Sequence, residues 1–252
     1  MSGTPSPPPG AAALPVAIVA METATETVGV AVKTPAGVQA EFALTGRRRH
    51  VETLTFALEH LLAQVGLEPA GLDVVAVDVG PGLFTGLRVG VAAAKALAQS
   101  LGIGVVGATS LDILTAAAAG AGHRGRVLAC VDARRGEVFA AVRDVGVAGT
   151  VVAEPVAPAL FAPGDLARAL RGLGGGPVLA VGDGAGRYAE VLGTLDGVVT
   201  APALSFPPPG ALVDLALARL AAGEQPTEPG RVVPLYMREA DARVNFARAE
   251  RA

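Results

Sequence analysis

The stretch Asp78-Val79-Gly80-Pro81-Gly82-Leu83-Phe84-Thr85-Gly86-Leu87-Arg88-Val89-Gly90 decides the fold. It follows an apolar run, residues 73–79, that reads as a buried strand, and leads into residues 85–100, where apolar side chains recur on a helical period. Gly80-Pro81-Gly82 breaks one element from the other, and Thr85 is placed to N-cap the helix. A strand passing through a glycine turn into a helix is the repeating unit of an α/β fold. The same junction turns backbone amides toward the positive end of a helix, so Gly80, Gly82, Thr85 and Gly86 form a candidate phosphate loop, with a plain tight turn as the alternative. It is neither a P-loop nor a dinucleotide fingerprint, because Gly-Lys-Ser/Thr and G-x-G-x-x-G are both missing.

Upstream of this stretch, residues 15–21, 27–33 and 38–44 read as three strands, with Thr34-Pro35-Ala36-Gly37 as a turn, hence an antiparallel meander. Val51, Leu54, Leu58, Leu62 and Val65 then make one helical stripe that Gly66 ends. Downstream come a short strand at 104–107 and a helix at 110–119. The order then recurs: strands at 126–131 and 137–143, a weaker one at 150–153, a helix at 163–173, a strand at 178–181, a short helix through Tyr188, and a final helix at 209–222. The repetition predicts a duplicated topology with lobes at 14–107 and 108–240, a soft spot near 144–162, and flexible tails at 1–13 and 241–252.

Bulk properties exclude several classes. The chain has 252 residues, 51% hydrophobic and 17% charged, which suits a packed body and not a disordered one. A net charge of −3 gives no global pull toward nucleic acid, and 4% aromatics leaves little for a base-stacking platform. A single cysteine, Cys130, rules out a disulfide framework and points to the cytoplasm. His50, His60 and His123 are scattered, without metal-ligand spacing. The uncharged N-terminus lacks a basic n-region and is broken by prolines, so it does not read as a signal peptide, and no segment reads as spanning a membrane.

The helix at 85–100 carries one stripe of Leu87, Val91, Ala94 and Ala98, while Ala92, Ala93 and Ala96 make other faces apolar too. Such a helix is expected to be covered on more than one side. The small residues Ala92 and Ala96 permit close approach of a second helix, either 51–65 or a partner's. His50, Leu54, Leu58, Arg88, Ala92 and Ala96 are therefore the candidate partner interface. Asp132, Arg134, Arg135 and Glu137 read as pairing across a hairpin, and Gly182-Asp183-Gly184-Ala185-Gly186 as a turn that could border a nucleotide. Ser110, Asp112 and His123 do not make a triad, since no G-x-S-x-G elbow presents the serine.

The block DVGPGLFTGLRVGVAAAKALAQ resembles the signature of the TsaB (YeaZ) family. Further stretches agree in order: Glu22-Thr23-Ala24-Thr25, RHVETLTFALEHLL, Ser110-Leu111-Asp112, VDARRGEV and Pro234-Leu235-Tyr236-Met237-Arg238. The resemblance implies a two-lobe actin/hexokinase-like α/β fold with mixed sheets flanked by helices. It implies a non-catalytic activating subunit of the complex that transfers a threonylcarbamoyl group to the adenosine next to the anticodon, in tRNAs reading codons that begin with A. The implied partners are the catalytic TsaD subunit, the ATPase TsaE and tRNA through the complex, with a homodimer when the chain is alone. No cofactor of its own is implied; ATP or ADP would act at or near the interface in the complex. The catalytic relative carries two metal-binding histidines four apart, where this chain has Ser110 and Leu114, so neither catalytic nor metal residues are expected. Glu22 and Thr23 join the candidate phosphate loop. Glu22 stands where the family has Asp and reads as an exposed turn carboxylate, which weakens the alternative of an active actin-fold kinase or ATPase. A metallopeptidase, the other alternative, lacks its ligands. Arg47-Arg48-Arg49-His50 opposes the dipole of the helix it precedes and reads as a solvated loop or a small cationic patch for a partner's carboxylates or tRNA.

Overall fold

The structure, a computed structural model, describes residues 16–46 and 50–238. The two tails and Arg47-Arg48-Arg49 lie outside the described residues. The described residues divide into two compact units: residues 16–46 and 50–79 with Leu83–Ala108 and Phe206–Val233, and Gly80–Gly82 with Thr109–Ser205 and residues 234–238.

The first unit is built on β1 (Ile18–Glu22), β2 (Thr27–Lys33), β3 (Gln39–Thr45), β4 (Val74–Gly80) and β5 (Gly104–Thr109), in the order β3-β2-β1-β4-β5. β1 runs antiparallel to β2 and parallel to β4. Both central strands are buried along nearly their whole length, as strands covered on two faces must be, and that is why they read as unbroken apolar runs. β3 alternates exposed and half-buried residues over its first half, the mark of an edge strand with one face on the core. The helices α1 (His50–Gln64) and α2 (Phe84–Leu101) supply Leu54, Ala57, Leu61, Val91, Ala94 and Ala98 to a core shared with Val19, Val30, Val75 and Val77.

The second unit repeats the plan. It comprises α3 (Ser110–Gly120), β6 (Gly125–Arg134), β7 (Glu137–Val145), β8 (Val151–Phe161), α4 (Pro163–Gly172), β9 (Val178–Val181), α5 (Asp183–Arg187), α6 (Ala189–Leu192) and β10 (Val198–Thr200). Its sheet order is β8-β7-β6-β9-β10, the first unit's order with each strand replaced by its counterpart. Two copies of this mixed sheet give the expected actin/hexokinase-like α/β architecture.

Four expectations are corrected. Residues 108–240 do not form one lobe: α7 (Pro209–Ala221) packs on β1, β2 and β3 of the first unit, burying Leu212, Val213 and Ala216. Glu41 accepts from the Gly210 amide (3.0 Å) and Lys33 pairs with Asp214 (3.1 Å), fixing α7 there. The weak strand at 150–153 is the start of the 11-residue β8, so the soft spot at 144–162 is sheet. Pro155 and Pro158 hid it; an edge strand tolerates them because only one of its sides pairs. Thr85 lies inside α2, whose N-cap is Leu83 with no side-chain cap. Finally, the cover of α2 is incomplete among the described residues: the core, α1 and the segment at Pro229–Arg231 flank it, but one strip with Ala92 and Ala96 is exposed.

Candidate functional site

In the first unit, the ends of β1 and β4 bring two carboxylates together. Met21 registers with Val77, which sets Glu22 beside Asp78, and both side chains are fully buried. Glu22 is thus not the exposed turn residue expected; the last residue of a strand covered on both faces stays inside. Its carboxylate accepts from the amides of Ala24 (2.9 Å) and Thr25 (3.2 Å) and from the Thr25 hydroxyl (3.3 Å). Burial pushes Glu22 well above the usual carboxylate range and the neighbouring Asp78 charge adds to it, outweighing the hydrogen bonds that favour the charged form.

Thr23 and Ala24 reach from the β1–β2 turn into the glycine stretch. The Thr23 hydroxyl donates to the Gly86 carbonyl (2.7 Å), and the Leu83 amide donates to the Ala24 carbonyl (2.6 Å). A β-carbon on Gly90 would collide with the Thr23 hydroxyl oxygen, so glycine is required there. Of the candidate phosphate loop, Glu22, Thr23 and Gly86 come together and are bonded to the chain itself, while Thr85 is exposed. Gly80 is buried and Gly82 half-buried.

Ser110 and Leu114 do not fit a metal. Leu114 is fully buried in the core of the second unit, and Ser110 donates to the Pro81 carbonyl (2.9 Å). Among the described residues, no group of three or more His, Cys, Asp or Glu could hold a metal ion. Asp112 closes a capping box with Thr109, and His123 bonds the Arg126 carbonyl.

On the outside of the first unit, α1 and α2 border a groove of about 490 Å³, lined by Val51, Leu54, Phe84, Arg88, Val89 and Ala92 among others. Arg88 stacks on Phe84, its guanidinium carbon 3.7 Å from the ring centroid. Of the candidate interface, Arg88, Ala92 and Ala96 are exposed, Leu54 belongs to the core and Leu58 packs half-buried against it. His50 opens α1.

In the second unit, β6 and β7 turn through Arg134 (φ 64°), Arg135 (φ 57°) and Gly136 (φ 82°). Arg134 and Arg187 converge on one oxygen of the Asp132 carboxylate, at 3.1 and 3.5 Å. Asp183 accepts from the Asp132 amide (2.9 Å), and burial, aided by Asp132, raises its pKa. Glu137 pairs with Arg238, which also donates to the Ala133 carbonyl (2.9 Å). Arg134 thus bonds along its own strand, and Glu137 reaches outside the hairpin to Arg238. Cys130 lies beneath Gly182 and Gly184, and burial pushes its thiol far up, so it stays protonated. Arg143, on β7, is buried and bonds Asp112 (2.8 Å), Glu154 (3.0 Å) and Thr115 (3.2 Å).

Asp78, Arg143 and Arg187 were not among the expected site residues. A charge inside an apolar strand, alone in VVAVDV and beside Asp144 in FAAVRDV, was the signal for the first two.

Residues 31–180 match the family model of TsaD, tRNA N6-adenosine threonylcarbamoyltransferase. A Mycobacterium tuberculosis protein of uncharacterized function is 36% identical over 228 residues, which is 90% of this chain and 93% of that one. The tRNA threonylcarbamoyladenosine biosynthesis protein TsaB of Bacillus subtilis is 36% identical over 122 residues, 48% of this chain and 52% of that one. The solved structure of YeaZ from Pseudomonas aeruginosa superposes with a TM-score of 0.76 at 26% identity, covering 88% of this chain and 99% of that one.

Proposed function

The chain belongs to the TsaD family and, within it, to the TsaB (YeaZ) branch of tRNA threonylcarbamoyladenosine biosynthesis, and from that premise we propose that it is the branch's non-catalytic subunit, docked on a TsaD partner through α1 and α2. In this reading TsaD performs the transfer and TsaE and tRNA join the assembled complex. This chain supplies no catalytic side chain, metal or nucleotide of its own, and any ATP or ADP acts at or near the interface in the complex. The carbon chain of Leu114 and the serine hydroxyl at 110 support the absence of a metal, and Glu22 in place of the family's Asp weighs against the kinase alternative.

The observation that carries the docking face is α2 itself. Val91, Ala94 and Ala98 are core, yet Ala92 and Ala96 lie exposed next to the apolar groove against α1. Small residues on an open helical face let another helix approach closely. No helix of the described residues is long and apolar enough to cross a membrane, so a lipid bilayer is not what this face spans.

The test is Ala92→Arg in pull-down and modification assays with TsaD. Because Ala92 is exposed, the variant should melt like the wild type. It should lose at least about 2 kcal/mol of binding, roughly thirtyfold in affinity, and modification should fall with it. Unchanged affinity would remove α2 from the interface, and robust transfer by this chain without TsaD would overturn the non-catalytic role.

A further inference from the structure

We propose that the open edge of β3 in the first unit pairs antiparallel with the β3 of a second copy of this chain, through a surface separate from the α2 face assigned to TsaD. Among the described residues the two sheets end in four edge strands, β3, β5, β8 and β10. An unguarded edge is a template for another strand, and proteins blunt the edges they do not use. Three of these edges are blunted. Val105 of β5 exchanges two backbone hydrogen bonds with Thr227 (2.9 and 2.8 Å), β8 lacks an amide proton at Pro155 and Pro158, and β10 is three residues long. β3 is different: its seven residues, Gln39–Thr45, include no proline, glycine or lysine.

The register shows which backbone groups are open. Just beyond the two ends of β3, the Thr34 amide donates to the Val38 carbonyl (2.8 Å) and the Gly46 amide to the Glu26 carbonyl (3.2 Å), in line with the β2–β3 ladder. Bonding direction alternates along an antiparallel strand, so Gln39, Glu41, Ala43 and Thr45 turn their N–H and C=O groups to the open edge. The side chains alternate too. Glu41 accepts from the Gly210 amide on the α7 face, whereas Phe42 meets Phe56 on the α1 face, ring centroids 6.2 Å apart. Leu44 and Phe56 stay 51% and 57% exposed beside this edge. α1 packs chiefly over β2, and α7 over β1 and β2, so both helices are set back from it.

Self-complementarity names the occupant. With a two-fold axis at Phe42, the open groups of Glu41 meet those of Ala43 in the second copy, and Gln39 meets Thr45. Ala40 then faces Leu44, large against small, and the two Phe42 side chains oppose each other at a non-hydrogen-bonded pair, where cross-strand side chains lie closest. No like charges are opposed. A slip of two residues sets Glu41 against its own counterpart in one direction and leaves Gln39 outside the pairing in the other. The contact is isologous, so it closes as a dimer and joins two five-stranded sheets into one.

The experiment is sedimentation equilibrium of the full chain over a concentration series, with thermal melts alongside. The wild type should reach a dimer. Ala43 is exposed and its amide points away from β2, so Ala43→Pro should melt near the wild type. It should weaken the dimer roughly thirtyfold or more, for two symmetry-related hydrogen bonds lost. Ala43→Glu, set opposite Glu41 of the second copy, should weaken it too, and Ala43→Lys should keep or tighten it. Ala43→Glu leaves the backbone intact, so it decides the matter if the proline variant fails to fold. Ala92→Arg should leave the dimer unchanged. A wild type that stays monomeric throughout, a dimer unmoved by Ala43→Glu, or a dimer broken by Ala92→Arg would overturn the inference. Loss of TsaD binding in Ala43→Glu would overturn it as well, by giving this edge to TsaD. Each of these outcomes leaves the proposed non-catalytic role standing.

Discussion

Glu22 and Asp78 lie side by side on parallel strands, both fully buried, with Glu22 pushed well above its ordinary value of 4.5 by burial and by the Asp78 charge. A folded-state pKa above the unfolded one means that the unfolded chain releases this proton first as pH rises. Stability from Glu22 is therefore complete below the unfolded value and is lost as pH climbs toward the folded one, at about 1.4 kcal/mol per pH unit for one proton. Melting temperature should fall as pH rises above the ordinary value of Glu22, and Glu22→Gln should flatten that fall. Parallel curves for wild type and Glu22→Gln would show that Glu22 is not the titrating group.

The contact of Thr23 with α2 predicts a second effect. Gly90→Ala should cost about 1–3 kcal/mol, because the added methyl overlaps the Thr23 hydroxyl in a packed site. Thr23→Ala alone should cost about 1 kcal/mol through its lost hydrogen bond to Gly86. Together the two should cost less than their sum, since the remaining β-carbon of residue 23 stands 3.4 Å away. Urea midpoints for the full cycle check this, and strict additivity would mean that the two residues do not meet.

Arg143 predicts a third. Its side chain is 7% exposed, and it holds Asp112 and Glu154, which are 22% and 40% exposed. Removing one member of a fully buried ion pair costs roughly 3–5 kcal/mol. Here the carboxylates reach water, so Arg143→Met should cost about 2 kcal/mol once screening is allowed for. Adding Asp112→Asn, which keeps an acceptor for the Thr109 capping box, should recover part of the loss. Denaturant unfolding of the second unit gives the comparison, and a further loss in the double variant would refute the pairing.

The strand–turn–helix order was legible wherever burial imposes a pattern. β2 and β9 fall where the apolar runs place them, and α1 and α2 within a residue of their periodic stripes. β8 was cut short because Pro155 and Pro158 interrupt it, and β10, three residues long, was missed because so short a run carries no alternation. The burial of Glu22 could not be read locally: it depends on β4 lying beside β1, a pairing between residues far apart in the chain. Nor could the return of α7, whose stripe fits either sheet. The glycine stretch was read correctly as a junction, but its occupant, Thr23, comes from another turn. For the arginine hairpin the residue types were visible, and the positive φ values were not.

The return of α7 has a consequence for biosynthesis. The ribosome delivers β1 through β5 first, then all of the second sheet, and only afterwards the helix that covers Ile18, Ala20 and Ala31 on the first one. The early-made half must wait with an apolar face open while the late-made half already has its strands in hand. Domains are usually completed in the order they emerge; here the order is inverted. A nascent chain stalled before residue 209 should carry a finished second sheet and an unfinished first one, which makes the first unit the one that a chaperone would have to shield.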